Sequence, residues 1–137
     1  MATRRQVRKR LATLMLESGE FDAVYDHAPL DLRGKTRVLC IFNDRSRHKM
    51  ISKHMNNAFY RFVLESCALR RVDEAGAEDA LDDMHEAIRA VIRDNVGDAT
   101  WNELDLEDDS DALFASVAKE PYRIERHSLT VKVTNTA

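Results

Sequence analysis

The chain has 137 residues, 44% of them hydrophobic and 33% charged, with four glycines, two prolines and a formal net charge of −3. That is one domain's worth of chain, with apolar side chains enough for a modest core; the balance excludes disordered and fibrous proteins and would leave two separate domains each marginal. No apolar run approaches the length of a membrane span, and the basic N-terminus lacks the continuous apolar stretch of a signal peptide, so no membrane partner and no secretion by that route is expected.

From Ala2 to Glu17 the apolar residues Val7, Leu11, Leu14 and Met15 recur at helical spacing, with Thr3 placed to cap the start and Ser18-Gly19 to end it. Phe21 to Tyr25 alternates briefly, and the turn chemistry of Ala28-Pro29-Leu30-Asp31 and Arg33-Gly34-Lys35 makes the surrounding segment mostly loop. Thr36 to Asn43, with Val38, Leu39, Cys40, Ile41 and Phe42, reads as a central strand buried on both faces. Asp44 to Lys49 is polar and basic and reads as a turn or loop, and Met50 to Met55 fits strand or loop. Ala58 to Leu69 is rich in aromatic residues and reads as the next strand. Glu78 to Asn95 gives the clearest pattern: Leu81, Met84, Ile88, Val91 and Ile92 form one stripe of an amphipathic helix, acidic residues crowd its first turns, Arg89 and Arg93 lie in its last, and Gly97 stands where a cap is expected. Thr100 to Leu106, carrying Trp101, and Leu113 to Val117 read as short strands on either side of an acidic loop, Glu107 to Asp111. In Tyr122 to Thr134 the apolar residues change parity, from Tyr122 and Ile124 to Leu129, Val131 and Val133, which predicts a bulge between Glu125 and Ser128. The order predicts a single α+β domain over residues 1–137, with a mixed or antiparallel sheet of four to five strands and two helices on one face.

Charge is divided along the chain. Residues 1–71 carry 15 Lys and Arg against 7 Asp and Glu, residues 72–111 carry 2 against 15, and residues 112–137 carry 4 against 2. Regions of opposite sign favour head-to-tail contact between copies or docking to differently charged partners. Exposed ion pairs are worth roughly 0–1 kcal/mol each, so charge would orient an assembly that apolar burial holds together.

None of the residue constellations frames a catalytic site. Arg33-Gly34-Lys35-Thr36 looks like the end of a phosphate-binding loop, but Pro29 stands where that motif needs glycine, and a strand follows where a helix is required. Asp105, Glu107, Asp108, Asp109 and Asp111 lack the spacing of a calcium loop. The histidines are scattered without the short-spaced cysteines or carboxylates that zinc ligation would need, so no metal or cofactor is expected. Cys40 and Cys67 both lie in apolar surroundings and read as reduced core thiols, which points to the cytosol of the producing cell. No nucleophile elbow accompanies any serine, and the chain reads as a binding and assembly protein, not an enzyme. The basic residues Arg4, Arg5, Arg8, Lys9 and Arg10 with Arg45, Arg47 and Lys49 suit phosphate contacts, which makes a small nucleic-acid-binding regulator one alternative.

Taken in this order, the chain resembles the tail terminator (minor tail protein) family of long-tailed, lambda-like bacteriophages. The likeness spans nearly the whole length: an N-terminal helix, Ala23-Val24-Tyr25-Asp26 leading to Pro29, the strand Arg37 to Phe42, a polar excursion, the strand Ala58 to Leu69, a long acidic helix, an acidic stretch, Tyr122-Arg123-Ile124-Glu125, and the closing Leu129-Thr130-Val131-Lys132-Val133. The strongly basic first helix and excursion depart from it. The resemblance implies a structural virion protein, assembled in the host cytoplasm and sited at the head-proximal end of the tail. There it would form a ring, usually of six copies, that caps the tail tube protein, stops tube polymerisation and meets the head connector, while DNA passes through the lumen without sequence-specific binding. A head-completion or connector protein is the related alternative. Expected interface residues are Arg45, Arg47, His48 and Lys49 on the excursion, answered by Trp101, Asp105, Asp108 and Asp109.

Overall fold

The computed structural model describes residues 2–71 and 73–136. Helix α1 (Arg4–Glu17) opens with the expected Thr3 cap: the Thr3 hydroxyl accepts from the Gln6 backbone N–H while the Gln6 side chain accepts from the Thr3 N–H, and Val7, Leu11, Leu14 and Met15 are its buried face. Helix α2 (Glu74–Asp94) starts a turn earlier than its apolar stripe, because the Asp73 carboxylate takes the Gly76 N–H. A Cβ at Gly76 would meet that same carboxylate in its present position, so a larger residue there would have to shift the Asp73 side chain. Asn95, not Gly97, ends the helix.

Six strands make one mixed sheet: β1 (Ala23–Tyr25), β2 (Arg37–Ser52), β3 (Met55–Leu69), β4 (Glu103–Leu106), β5 (Asp111–Val117) and β6 (Glu120–Thr136). The spatial order is β1-β2-β3-β6-β4, with β5 pairing further along the same edge of β6 that β4 occupies. Only β1 and β2 are parallel. The expected α+β class therefore holds, with more strands than the four to five anticipated. One addition is β1, in the segment read as loop.

Both helices lie on one face. Their apolar stripes close over Leu39, Ile41, Ala58, Tyr60, Phe62, Leu64, Leu129, Val131 and Val133, with Trp101 at the margin. A second, smaller core forms on the opposite face, where Leu32 from the β1–β2 connection covers Val38, Cys40, Cys67, Leu69, Tyr122 and Ile124. The Tyr122 hydroxyl donates to the Lys35 carbonyl at 3.0 Å, and its burial pushes its pKa up to about 12. Hydrogen bonding to Cys40, together with burial, drives the Cys67 thiol far up, so it stays protonated among its apolar neighbours.

These two cores correct the bulge expected in the last strand. β6 pairs with β3 in unbroken register from Leu69↔Tyr122 to Met55↔Thr136. The apolar parity changes because the strand buries its first half on one face and its second half on the other. The irregularities fall instead in β2, at Asp44 between the pairs Asn43↔Phe62 and Arg45↔Arg61, and at Ile51 between Met50↔Asn56 and Ser52↔Met55.

The segment Asp44 to Lys49 is likewise not a loop. It continues β2 to Ser52, every residue from Asn43 on is exposed, and the chain returns through Lys53-His54 into β3. The result is a long hairpin arm with exposed Met50, Ile51 and Met55 at its tip. At the other end of the sheet, β5 and β6 are joined by Ala118 and Lys119, both left-handed (φ 49° and 68°), the backbone of a two-residue hairpin turn whose twist matches the strands. Among the described residues no helix is long and apolar enough to cross a membrane.

Candidate assembly surface

Side chains alternate between the faces of a strand, so the cross-strand register states which residues share the face opposite the helices. The Asp44 bulge places Arg45 beside Arg61 and Arg47 beside Phe59, with Lys49 beside Asn57. On the next strand Thr130 stands beside Arg61 and Lys132 beside Phe59. β4 then sets Glu103 beside Lys132 and Asp105 beside Thr130. One sheet face thus runs from a basic edge on β2 to an acidic edge on β4, three strand spacings or about 14 Å away.

Local contacts hold the two edges in place. The Arg47 guanidinium lies 4.7 Å from the centre of the Phe59 ring. Arg61, between the edges, reaches Asp44 at 3.1 Å and Glu107 at 2.8 Å, tying the arm to the segment that follows β4. Asp108 and Asp109 follow β4 in the chain and are exposed, as are Arg45, Arg47, His48, Lys49 and Asp105. Among the described residues no strand pairs with β2 outside the arm: β1 covers only Val38 to Cys40. The backbone from Phe42 to Ser52 therefore presents an open edge.

Two expected residues fall elsewhere. His48 points to the helix side, where its ring meets Tyr60 edge-on with centroids 5.9 Å apart. Trp101 does not join the acidic surface at all: it is 4% exposed, packs in the main core, and donates its Nε1–H to the Asn95 carbonyl at 2.9 Å. A large aromatic next to the end of an amphipathic helix finds its burial there before any partner arrives. Nearby, Arg10 bridges to Asp98 at 3.1 Å; burial works to raise the Asp98 pKa, but the hydrogen bonds from Arg10 and Thr100 hold it below the usual carboxylate range.

A polar cluster that residue spacing did not announce lies between α2 and β6. Glu125 and His127 are two residues apart on β6 and so share its helix-side face; His85 comes down on them from α2. His85 Nδ1 is 3.3 Å and His127 Nε2 3.4 Å from the same oxygen, Glu125 Oε1. The i, i+2 spacing of Glu125 and His127 was legible, but His85 is 40 residues away, and only the packing of α2 unites the three.

No protein-family model matches the sequence, and no curated protein matches it significantly.

Proposed function

We propose that this chain is a ring-forming tail terminator of the long-tailed bacteriophage type, which caps the tail tube, stops its growth and offers its other side to the head connector. The observation that carries the reading is the charge arrangement on a single sheet face: Arg45, Arg47 and Lys49 at one edge, Glu103 and Asp105 at the other, with the exposed Asp108 and Asp109 following in the chain. Edges of opposite sign on one molecule are complementary between copies, which suits heterologous contacts that repeat from one copy to the next. The open edge of β2 and the apolar tip at Met50, Ile51 and Met55 supply backbone hydrogen-bonding groups and buried area for such a contact. In this reading the contact is made by an arm that projects beyond the covered part of the sheet, so the subunit folds before it assembles.

Native mass spectrometry over rising concentration, alone and with the tail tube protein of the encoding phage, tests this reading. A closed oligomer is expected, lost when Arg45, Arg47 and Lys49 are all changed to Glu, lost again when Asp105, Asp108 and Asp109 are all changed to Lys, and restored in mixtures of the two variants. A monomer under every condition, or assembly indifferent to both sets, would sink it. The exposed Arg4 and Arg5 beside Arg8 favour the nucleic-acid-binding reading instead. Retention of a monomer on DNA that falls steeply with salt is the result that would select it.

A further inference from the structure

We infer that His85, Glu125 and His127 form a binding site for one divalent transition-metal ion of the zinc class, clipping helix α2 to strand β6. The inference is independent of the assembly reading. It starts from a distance: two ligands each about 2.0–2.1 Å from a tetrahedral zinc stand about 3.3 Å apart. His85 Nδ1 and Glu125 Oε1 are 3.3 Å apart, His127 Nε2 and the same Oε1 are 3.4 Å apart, and all three ligand atoms lie within 4.8 Å of one another. Two imidazoles and one carboxylate are a donor set that zinc and its borderline neighbours take readily.

The second observation is the state of His127. It is 2% exposed, and its Nε2 has no hydrogen-bond partner among the described residues despite the nearby carboxylate. At 3.4 Å from Glu125 Oε1 and without a well-formed hydrogen bond, this buried ring nitrogen has lost its water for little in exchange, and an ion in the space between the three side chains would satisfy it.

The surroundings have the form of an outer shell. The Ser110 hydroxyl donates to Glu125 Oε2 at 2.7 Å, which fixes the carboxylate and leaves Oε1 turned to the histidines. Ser110 belongs to the acidic run, flanked in the chain by Asp109 and Asp111. Arg89, one turn beyond His85 on α2, is the cation that the site must tolerate. His85 retains 30% of its side-chain exposure, which provides an entry path and leaves the fourth tetrahedral position for water.

The test is a titration of the full chain, stripped with a chelator, using zinc chloride read by calorimetry and cobalt chloride read by visible absorption. One equivalent of zinc, a rise in thermal midpoint on binding, and cobalt bands of tetrahedral intensity are expected. His85→Ala and Glu125→Gln should each weaken binding by more than about 100-fold and Ser110→Ala by about 10-fold, in keeping with ligand and outer-shell roles. His54→Ala, at the tip of the arm, should bind as the parent does. Should His127→Ala fail to fold, the partly exposed His85 still provides the decisive variant. Absence of binding, binding unchanged by His85→Ala and Glu125→Gln, or weak octahedral cobalt absorption would overturn the assignment.

Discussion

The three long strands β2, β3 and β6 pass through two unlike regions. In the first, from Val38 to Phe42, Phe62 to Leu69 and Tyr122 to Leu129, apolar side chains are covered on both faces, by the helices on one side and by Leu32 and β5 on the other. In the second, around Arg45 to Ser52 and its partners, the buried apolar residues Ala58, Tyr60, Val131 and Val133 all lie on the helix-side face, while the opposite face carries Arg45, Arg47, Arg61 and Lys132. The strands do not end where the second core ends. A polar segment stays extended because its backbone groups are paired along the β3 ladder, and that pairing carries the hairpin beyond the region that burial alone would order. Stability is thus concentrated in one region and open surface in the other, and substitutions should tell the two apart.

The sharpest contrast is expected at Phe62, fully buried under the helices: Phe62→Ala should lower the free energy of unfolding by about 3–5 kcal/mol in urea titrations. Arg47→Ala on the arm should stay within about 0.5 kcal/mol, as exposed substitutions do. Comparable losses at the two positions would erase the distinction. A smaller effect of opposite sign is expected at the β5–β6 turn, where Ala118 and Lys119 hold left-handed conformations without the residues that favour them. The paired change Ala118→Asn and Lys119→Gly should stabilise the chain by about 1 kcal/mol, read from the same titrations.

The smallest expected effect depends on pH. Hydrogen bonds from His27 and then Lys9 hold the Asp26 carboxylate at a pKa of about 2, below its ordinary 3.8. A carboxylate whose pKa is depressed on folding contributes stability above its unfolded pKa, and loses that contribution as pH falls toward the folded one. Asp26→Asn should therefore cost no more than about 1 kcal/mol at pH 7, since the pair is partly exposed. The gap between variant and parent should close between about pH 4 and pH 2, as measured by unfolding midpoints across that range. A gap that widens on acidification would reverse the assignment of Asp26.

Periodicity carried much of this architecture. The stripes of Val7, Leu11, Leu14 and Met15 and of Leu81, Met84, Ile88 and Ile92 identify both helices, and the run Val38 to Ile41 identifies a strand buried on both faces. The arm was hidden because a strand with Arg45, Arg47 and Lys49 on one face and Ser46 and His48 on the other has no apolar alternation to read. β6 was misread for a related reason: two cores on opposite faces give one straight strand the same parity change that a bulge would produce. Of the expected surface residues, Arg45, Arg47, Lys49 and Asp105 share one sheet face, His48 turns to the other, and Trp101 belongs to the interior. The cluster of His85, Glu125 and His127 was beyond reach because its members meet only through the packing of α2 on the sheet.

Trp101 is the chain's only tryptophan, and its indole is locked to the Asn95 carbonyl where α2 gives way to β4. Its fluorescence is therefore a built-in reporter of that junction. A shift of emission to longer wavelength would signal that the interior has opened, whereas a gain in mass with unchanged emission would mean that copies had joined through their outer surfaces alone.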